Sequence, residues 1–185
     1  MTARTWILLV VIFVVVIIVP AISIFNRLVK LRNMIREAWS GIDVQLKRRY
    51  DLIPNIVQSV KGYAKHEKEL FERVTNARAN CINATNIRDK APAENNLTGA
   101  IKSLFAVAEN YPDLKANQNF MDLQKNLYEV EDQIQYSRRY YNGATRDYNI
   151  LVESFPSMII AAMCRFKKSE YFEISEPEER KVPKV

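Results

Sequence analysis

The sequence predicts an all-α protein: a long antiparallel helical bundle preceded by one N-terminal transmembrane helix. Three observations carry this. No charged side chain stands between Arg4 and Arg27, and the run Thr5–Phe25 is almost wholly Ile, Val, Leu, Phe and Trp. Beyond that run apolar residues recur three or four apart, and no segment of useful length alternates with period two. The whole chain holds 4 glycines, too few for a protein built from tight hairpins.

A helix over residues 5–25 spans roughly 30 Å at ~1.5 Å per residue, the thickness of a bilayer's hydrocarbon core. Trp6 stands at one end, where an amphipathic ring suits the lipid–water boundary. A cleaved signal peptide is the competing reading, with Ala21 and Ser23 as small residues at a cleavage site. Against it stand a leading flank with Arg4 as its one basic side chain, an apolar run longer than a typical signal core, and a helical pattern immediately after Ser23. A lipoprotein is excluded because neither Cys81 nor Cys164 lies near the end of the run. Arg27, Lys30, Arg32 and Arg36 follow the span, against Arg4 and the amino terminus before it, so the positive-inside rule puts the large domain in the cytoplasm. The resulting division is a short flank at 1–4, an anchor at 5–25, a bundle at 26–172 and a flexible tail at 173–185.

Within the bundle, Leu28, Leu31, Ile35, Trp39, Ile42, Leu46, Tyr50 and Ile53 form one stripe of about seven turns. No breaker separates this stripe from the anchor after Pro20, so the two read as one rod. Pro54 is expected to kink or restart the helix. A second stripe runs through Ile56, Val60, Tyr63, Leu70, Val74, Ala77 and Cys81. The segment Asn86–Asn96, with Pro92 and mixed charges, reads as the main loop. A shorter helix carries Leu97, Ile101, Leu104, Phe105 and Ala108, and Tyr111-Pro112-Asp113 ends it as a turn. The last long helix carries Phe120, Leu127, Val130, Ile134, Tyr141, Tyr148 and Leu151, and Ser154-Phe155-Pro156 closes it. The apolar segment Met158–Met163 is expected to pack back on the bundle, and the tail from Glu173 has nothing to bury.

Two distant cysteines and one histidine give no disulfide framework and no zinc-ligand spacing, and no cofactor is implied. A net charge of +6 beside a membrane points to an anionic lipid surface before it points to nucleic acid.

Several ordered blocks resemble the LemA family. They are Leu31-Arg32-Asn33 to Trp39, Asp43 through Asn55, Val60-Lys61-Gly62-Tyr63-Ala64, and Tyr111 through Asn117 with Asn119-Phe120. The likeness resumes in Tyr140-Tyr141-Asn142 to Tyr148-Asn149, in Phe155-Pro156 and in Tyr171-Phe172-Glu173. One departure is Cys164-Arg165-Phe166, where such proteins commonly read Phe-Gly-Phe. The resemblance implies a single-pass bacterial membrane protein with a soluble helical bundle and no established enzymatic activity. It also implies kinship with proteins that take part in building the magnetosome membrane; some members of the family carry a lipobox and face the other side.

Chemistry-bearing residues are sparse. His66 beside Glu67 is not an acid–base couple, because adjacent helix positions point about 100° apart. Glu129, Glu131 and Asp132 lack the Glu-x-x-His partners of a dimetal bundle, so a solvated face with Lys125–Glu129 as an i,i+4 pair explains them. Lys47-Arg48-Arg49 wraps the helix, and Arg49 flanks the seam, which favours pairing with a carboxylate of the last long helix over a ligand site. Tyr128, Tyr136, Tyr140, Tyr141 and Tyr148 read as a bundle seam, not as a stacking platform for single-stranded nucleic acid.

The expectation is a non-catalytic scaffold or adaptor at the membrane, self-associating or recruiting a protein partner. Arg27, Lys30, Arg32 and Arg36 are its anionic-lipid contacts, at about 1 kcal/mol per charge. The alternative is a membrane-surface ligand binder or enzyme using Arg48, Arg49 and Asp51, which needs a cavity of several hundred Å³ between helices.

Overall fold

In the computed structural model residues 3–172 are described, and they contain no strand. Six helices follow one another: α1 (Ala3–Tyr63), α2 (Lys68–Asn83), α3 (Ile87–Ala108), α4 (Pro112–Lys115), α5 (Gln118–Glu153) and α6 (Ser157–Met163). The tail expected at 173–185 and the first two residues of the N-terminal flank lie outside the described residues. The described chain divides into two compact units, residues 3–39 with 140–171, and residues 40–139 with 172. Helices α1 and α5 contribute to both.

In the first unit, α1 changes character along its length. From Ile12 to Val19 every side chain is exposed. From Leu28 onward one face is buried, through Leu28, Ile35 and Ala38. Tyr141, Ala144 and Tyr148 of α5 supply the buried side of their helix, and the Trp39 and Tyr141 rings meet edge to face at 5.7 Å. The chain after α6 is strapped along α5. Tyr148 Oη donates to the Lys167 carbonyl at 3.0 Å and Tyr141 Oη to the Glu170 carbonyl at 2.9 Å. Asn149 exchanges two hydrogen bonds of 2.9 Å with the Ser169 backbone. Burial raises the pKa of both tyrosines, so both phenols remain donors at neutral pH.

Helix α6 departs from the expected packing. It buries Ser157 and Ala161, while Met158, Ile159 and Met163 are exposed. Its end is a Schellman turn: Phe166 N–H donates to the Ala161 carbonyl at 2.9 Å and Arg165 N–H to the Ala162 carbonyl at 3.2 Å. Arg165 holds φ 56°, the left-handed conformation that glycine adopts without a Cβ penalty.

In the second unit, α1 buries Ile42, Leu46, Ile53, Ile56 and Val60. The helix does not restart at Pro54. Proline removes the donor that the Tyr50 carbonyl would have received, and the Arg78 guanidinium of α2 supplies another, with Nε 2.7 Å from that oxygen. The second apolar series is not one helix, because α1 ends at Tyr63 and α2 starts at Lys68. The intervening turn closes with Glu67 N–H on the Ala64 carbonyl at 3.2 Å.

The stretch expected as the main loop is mostly helix. Only Ala84–Asn86 lies between α2 and α3. Asn86 caps α3 by accepting from the Asp89 N–H at 2.8 Å, while Pro92 lies early in α3 with its ring exposed. Of the mixed charges that suggested a loop, Lys90 and Glu94 are buried, while Arg88 and Asp89 are exposed. At the start of α5, Asn117 accepts from the Phe120 N–H at 3.2 Å, which gives the Asn117-x-x-Phe120 block a capping role.

Candidate functional site

Arg49 stands one turn before Ile53 on the buried stripe of α1 and is 1% exposed. A cation there needs partners from other helices. Glu94 of α3, also 1% exposed, accepts from Arg49 Nη1 at 2.9 Å, and Thr98 Oγ1 accepts from Nη2 at 2.7 Å. Arg49 Nε lies 2.9 Å from Glu131 Oε1 as an ion pair, without the alignment of a hydrogen bond. The expected pairing with the last long helix is therefore made through Glu131. That carboxylate is consequently not part of the solvated face foreseen for it, whereas Glu129 is exposed, 4.0 Å from Lys125.

Tyr50 Oη donates to the other oxygen of Glu94. Its phenol is raised well above the ordinary range by burial and by the Glu94 charge, so it remains a neutral donor. Lys90, one turn before Glu94 on α3, reaches Asp43 of α1 at 3.1 Å. Arg138 of α5 is buried, with its guanidinium 4.6 Å from the Phe172 ring centroid and no hydrogen-bond partner at Nε among the described residues. Burial lowers the Arg138 pKa and raises that of Glu131, whose pairing with Arg49 pulls the other way.

The arrangement balances Arg49 and Arg138 against Glu94 and Glu131. It fixes helix pairing, because any slip would strand a buried charge. Cys81 is fully buried and its thiol is pushed up to about 12 by burial and the nearby Glu94 charge, so it stays protonated at neutral pH.

Two grooves lie in this unit, and the second has cluster residues in its wall. One, of about 840 Å³, is lined by Arg48, Asp51, Asn55, Asp132 and Tyr136 among others. The other, of about 640 Å³, has Arg49, Thr98, Glu131 and Arg138 in its wall with Phe105 and Tyr128. Arg48 and Asp51 face the first groove and Arg49 the second, so the three residues of the Arg48/Arg49/Asp51 reading do not line one site.

The basic residues after the span are all exposed. At about 100° per residue, Arg27 and Lys30 fall on one side of the Leu28–Ile35–Ala38 face and Arg32 and Arg36 on the other. Arg32 also lies over the Phe166 ring, 5.3 Å from its centroid. His66 is exposed in the turn after α1. Of the tyrosines read as a seam, Tyr141 and Tyr148 are buried, while Tyr128, Tyr136 and Tyr140 are exposed. Glu94, Lys90, Arg138 and Arg78 were not anticipated. A signal for two of them was available, since Lys90 and Glu94 extend the series Leu97, Ile101, Leu104 and Ala108 backward at the same spacing.

These features define a helical-bundle protein with an exposed apolar helix near its N-terminus and a buried charge cluster in its bundle. A family model for the LemA family matches residues 38–185. The chain is 25% identical over 186 residues to Magnetosome protein MamQ 2 of Paramagnetospirillum magneticum, covering 86% of this chain and 68% of that protein. It is 27% identical over 158 residues to Protein LemA of Metamycoplasma hominis, covering 83% and 70%. To Magnetosome protein MamQ of Magnetospirillum gryphiswaldense it is 21% identical over 174 residues, covering 80% and 64%. The chain belongs to the LemA family.

Proposed function

We propose that the protein is a membrane-anchored, non-catalytic scaffold or adaptor that self-associates or recruits protein partners at a bacterial membrane. The observation that carries this reading is the change within α1, from a helix exposed on every side at Ile12–Val19 to one with a buried face from Leu28. A helix apolar all round suits lipid, and a helix with one apolar stripe suits a bundle at its surface. The charge cluster supports a structural role, since Arg49 is committed to Glu94, Thr98 and Glu131. Charge after the span favours a cytoplasmic bundle, with Arg27, Lys30, Arg32 and Arg36 at anionic headgroups.

Mass photometry of the full-length protein in detergent and in nanodiscs tests the self-association arm. Discrete multimers are expected; a monomer at every concentration removes that arm, and crosslinking then tests recruitment. The groove at Arg48 and Asp51 keeps a second reading in play, a small-ligand binder. A ligand-dependent rise in melting temperature would favour it, and a flat response across metabolites and metals would favour the scaffold.

A further inference from the structure

We propose that Phe155–Met163, comprising α6 and the turn before it, is a second membrane contact: a short foot lying in the headgroup region of the bilayer that receives α1. The proposal rests on the anchoring role of α1 given above.

The first argument is the inverted pattern of α6. The helix turns Ser157 and Ala161 inward and larger apolar side chains outward, with Phe155 80% and Met163 76% exposed and Met158 and Ile159 about half exposed. No charged side chain occurs from Ser154 to Cys164. A helix bathed in water normally does the reverse, and a contiguous apolar surface of this kind marks a contact.

The second argument identifies the occupant through register. Trp39 of α1 meets Tyr141 of α5 at 5.7 Å, and Arg32 of α1 lies 5.3 Å from the Phe166 ring centroid, next to Lys167, whose carbonyl accepts from Tyr148 of α5. Seven residues back along α1 are therefore matched by seven residues forward along α5. Continued by one more step, that register sets Phe25, the last apolar residue of the span, level with the turn that follows α5 at Glu153. The chain leaving α6 returns to this level, because the Phe166 ring packs edge-on against Phe25 at 5.8 Å. The foot is thus bracketed at both ends by the point where the anchor leaves the lipid.

At about 10 Å in length, α6 fits the interfacial zone without spanning it. Basic Arg165 and Lys167 follow it, which suits anionic headgroups beside an apolar insertion. A bilayer is favoured over a protein occupant because Phe166, three residues past α6, packs on Phe25 at the end of the apolar span.

The test uses Cys164, which is exposed at the end of α6, while buried Cys81 resists labelling. An environment-sensitive fluorophore is attached to Cys164 in full-length protein in nanodiscs containing phosphatidylglycerol. Expected are a blue-shifted emission, quenching by lipids spin-labelled near the headgroup, and little quenching by aqueous iodide. The double substitution Met158→Glu/Met163→Glu should reverse this, with far-UV circular dichroism unchanged. A parallel protein carrying Val15→Cys with Cys164→Ser reports on the anchor itself. Deep-lipid quenching at position 15 with a water-exposed probe at 164 would overturn the foot and leave the anchor standing. Absence of quenching at position 15 would overturn the anchoring reading and the foot with it. Lipid quenching at 164 that survives the double substitution would also overturn the foot, because its apolar side chains would not be what holds it.

Discussion

Arg78 Nε donates a 2.7 Å hydrogen bond to the Tyr50 carbonyl, the oxygen that Pro54, four residues on, has no N–H to serve. The side chain from α2 thereby repairs the helix ladder of α1 and joins two helices with the same bond. Arg78→Met should destabilise the protein by about 1–2 kcal/mol, the cost of leaving a part-buried carbonyl unpaired. Pro54→Ala restores the backbone donor, so the same Arg78 substitution should cost less in that background. Thermal unfolding of the four proteins in detergent measures the coupling, and equal costs in both backgrounds would disconnect Arg78 from Pro54.

Removing one member of the Arg49–Glu94 pair strands the other. Glu94→Leu should cost about 3–5 kcal/mol, because Arg49 loses its 2.9 Å partner in the core and Tyr50 loses its acceptor. Arg49→Met alone should cost a comparable amount, since it leaves Glu94 buried and uncompensated. The double variant should be far less damaged than the sum of the two. Additive costs in chemical unfolding would place the energy in packing and not in the ion pair.

Glu131 gives the cluster a pH signature. Its native pKa is raised, chiefly by burial, while in the unfolded chain it takes its ordinary value of ~4.3. Between those values the native state holds more protons than the unfolded state. This group's contribution to stability is therefore greatest at low pH and is lost as pH rises through that interval. Glu131→Gln cannot ionise, so it should gain on the parent protein as pH goes from 4 to 7. Melting curves over that range provide the check; a parent that gains on the variant instead would mean that pairing with Arg49 outweighs desolvation.

How far the fold was legible follows from the same physics. Apolar spacing exposed the stripes of α1, α2, α3 and α5, because each helix buries one face. It failed at the junctions. The series Ile56 to Cys81 crosses the Tyr63–Lys68 turn without losing phase, since α1 and α2 both supply that unit's core. Asn86–Asn96 read as a loop because Lys90, Pro92 and Glu94 are ordinarily loop residues, and only their partners on α1 make two of them core residues. Arg49's need for a carboxylate was visible from its place beside the seam. That Glu94 would be its most buried partner was not, because pairing across distant helices leaves no local spacing. The outward apolar face of α6 was hidden for the same reason: Met158-Ile159-Ile160 reads identically whether it faces a core or a membrane.

Arg165 offers a stabilising change rather than a damaging one. It occupies the left-handed position of the turn ending α6, at φ 56°, between the Ala162 and Ala161 hydrogen bonds that define that turn. An L side chain there costs about 1–2 kcal/mol, and glycine removes the clash of Cβ with the following carbonyl. Arg165→Gly also loosens the unfolded chain by up to about 1 kcal/mol, which offsets part of the gain. The net expectation is about 0.5–1 kcal/mol, or a rise of about 1–4 °C in melting temperature for a chain of this size. Arg165→Ala keeps a Cβ and should gain nothing, while Arg165→Asn should recover a part. Measuring all three in a zwitterionic detergent separates backbone strain from the lost charge: a gain shared by glycine and alanine would trace the effect to charge, and a gain confined to glycine and asparagine would trace it to the turn.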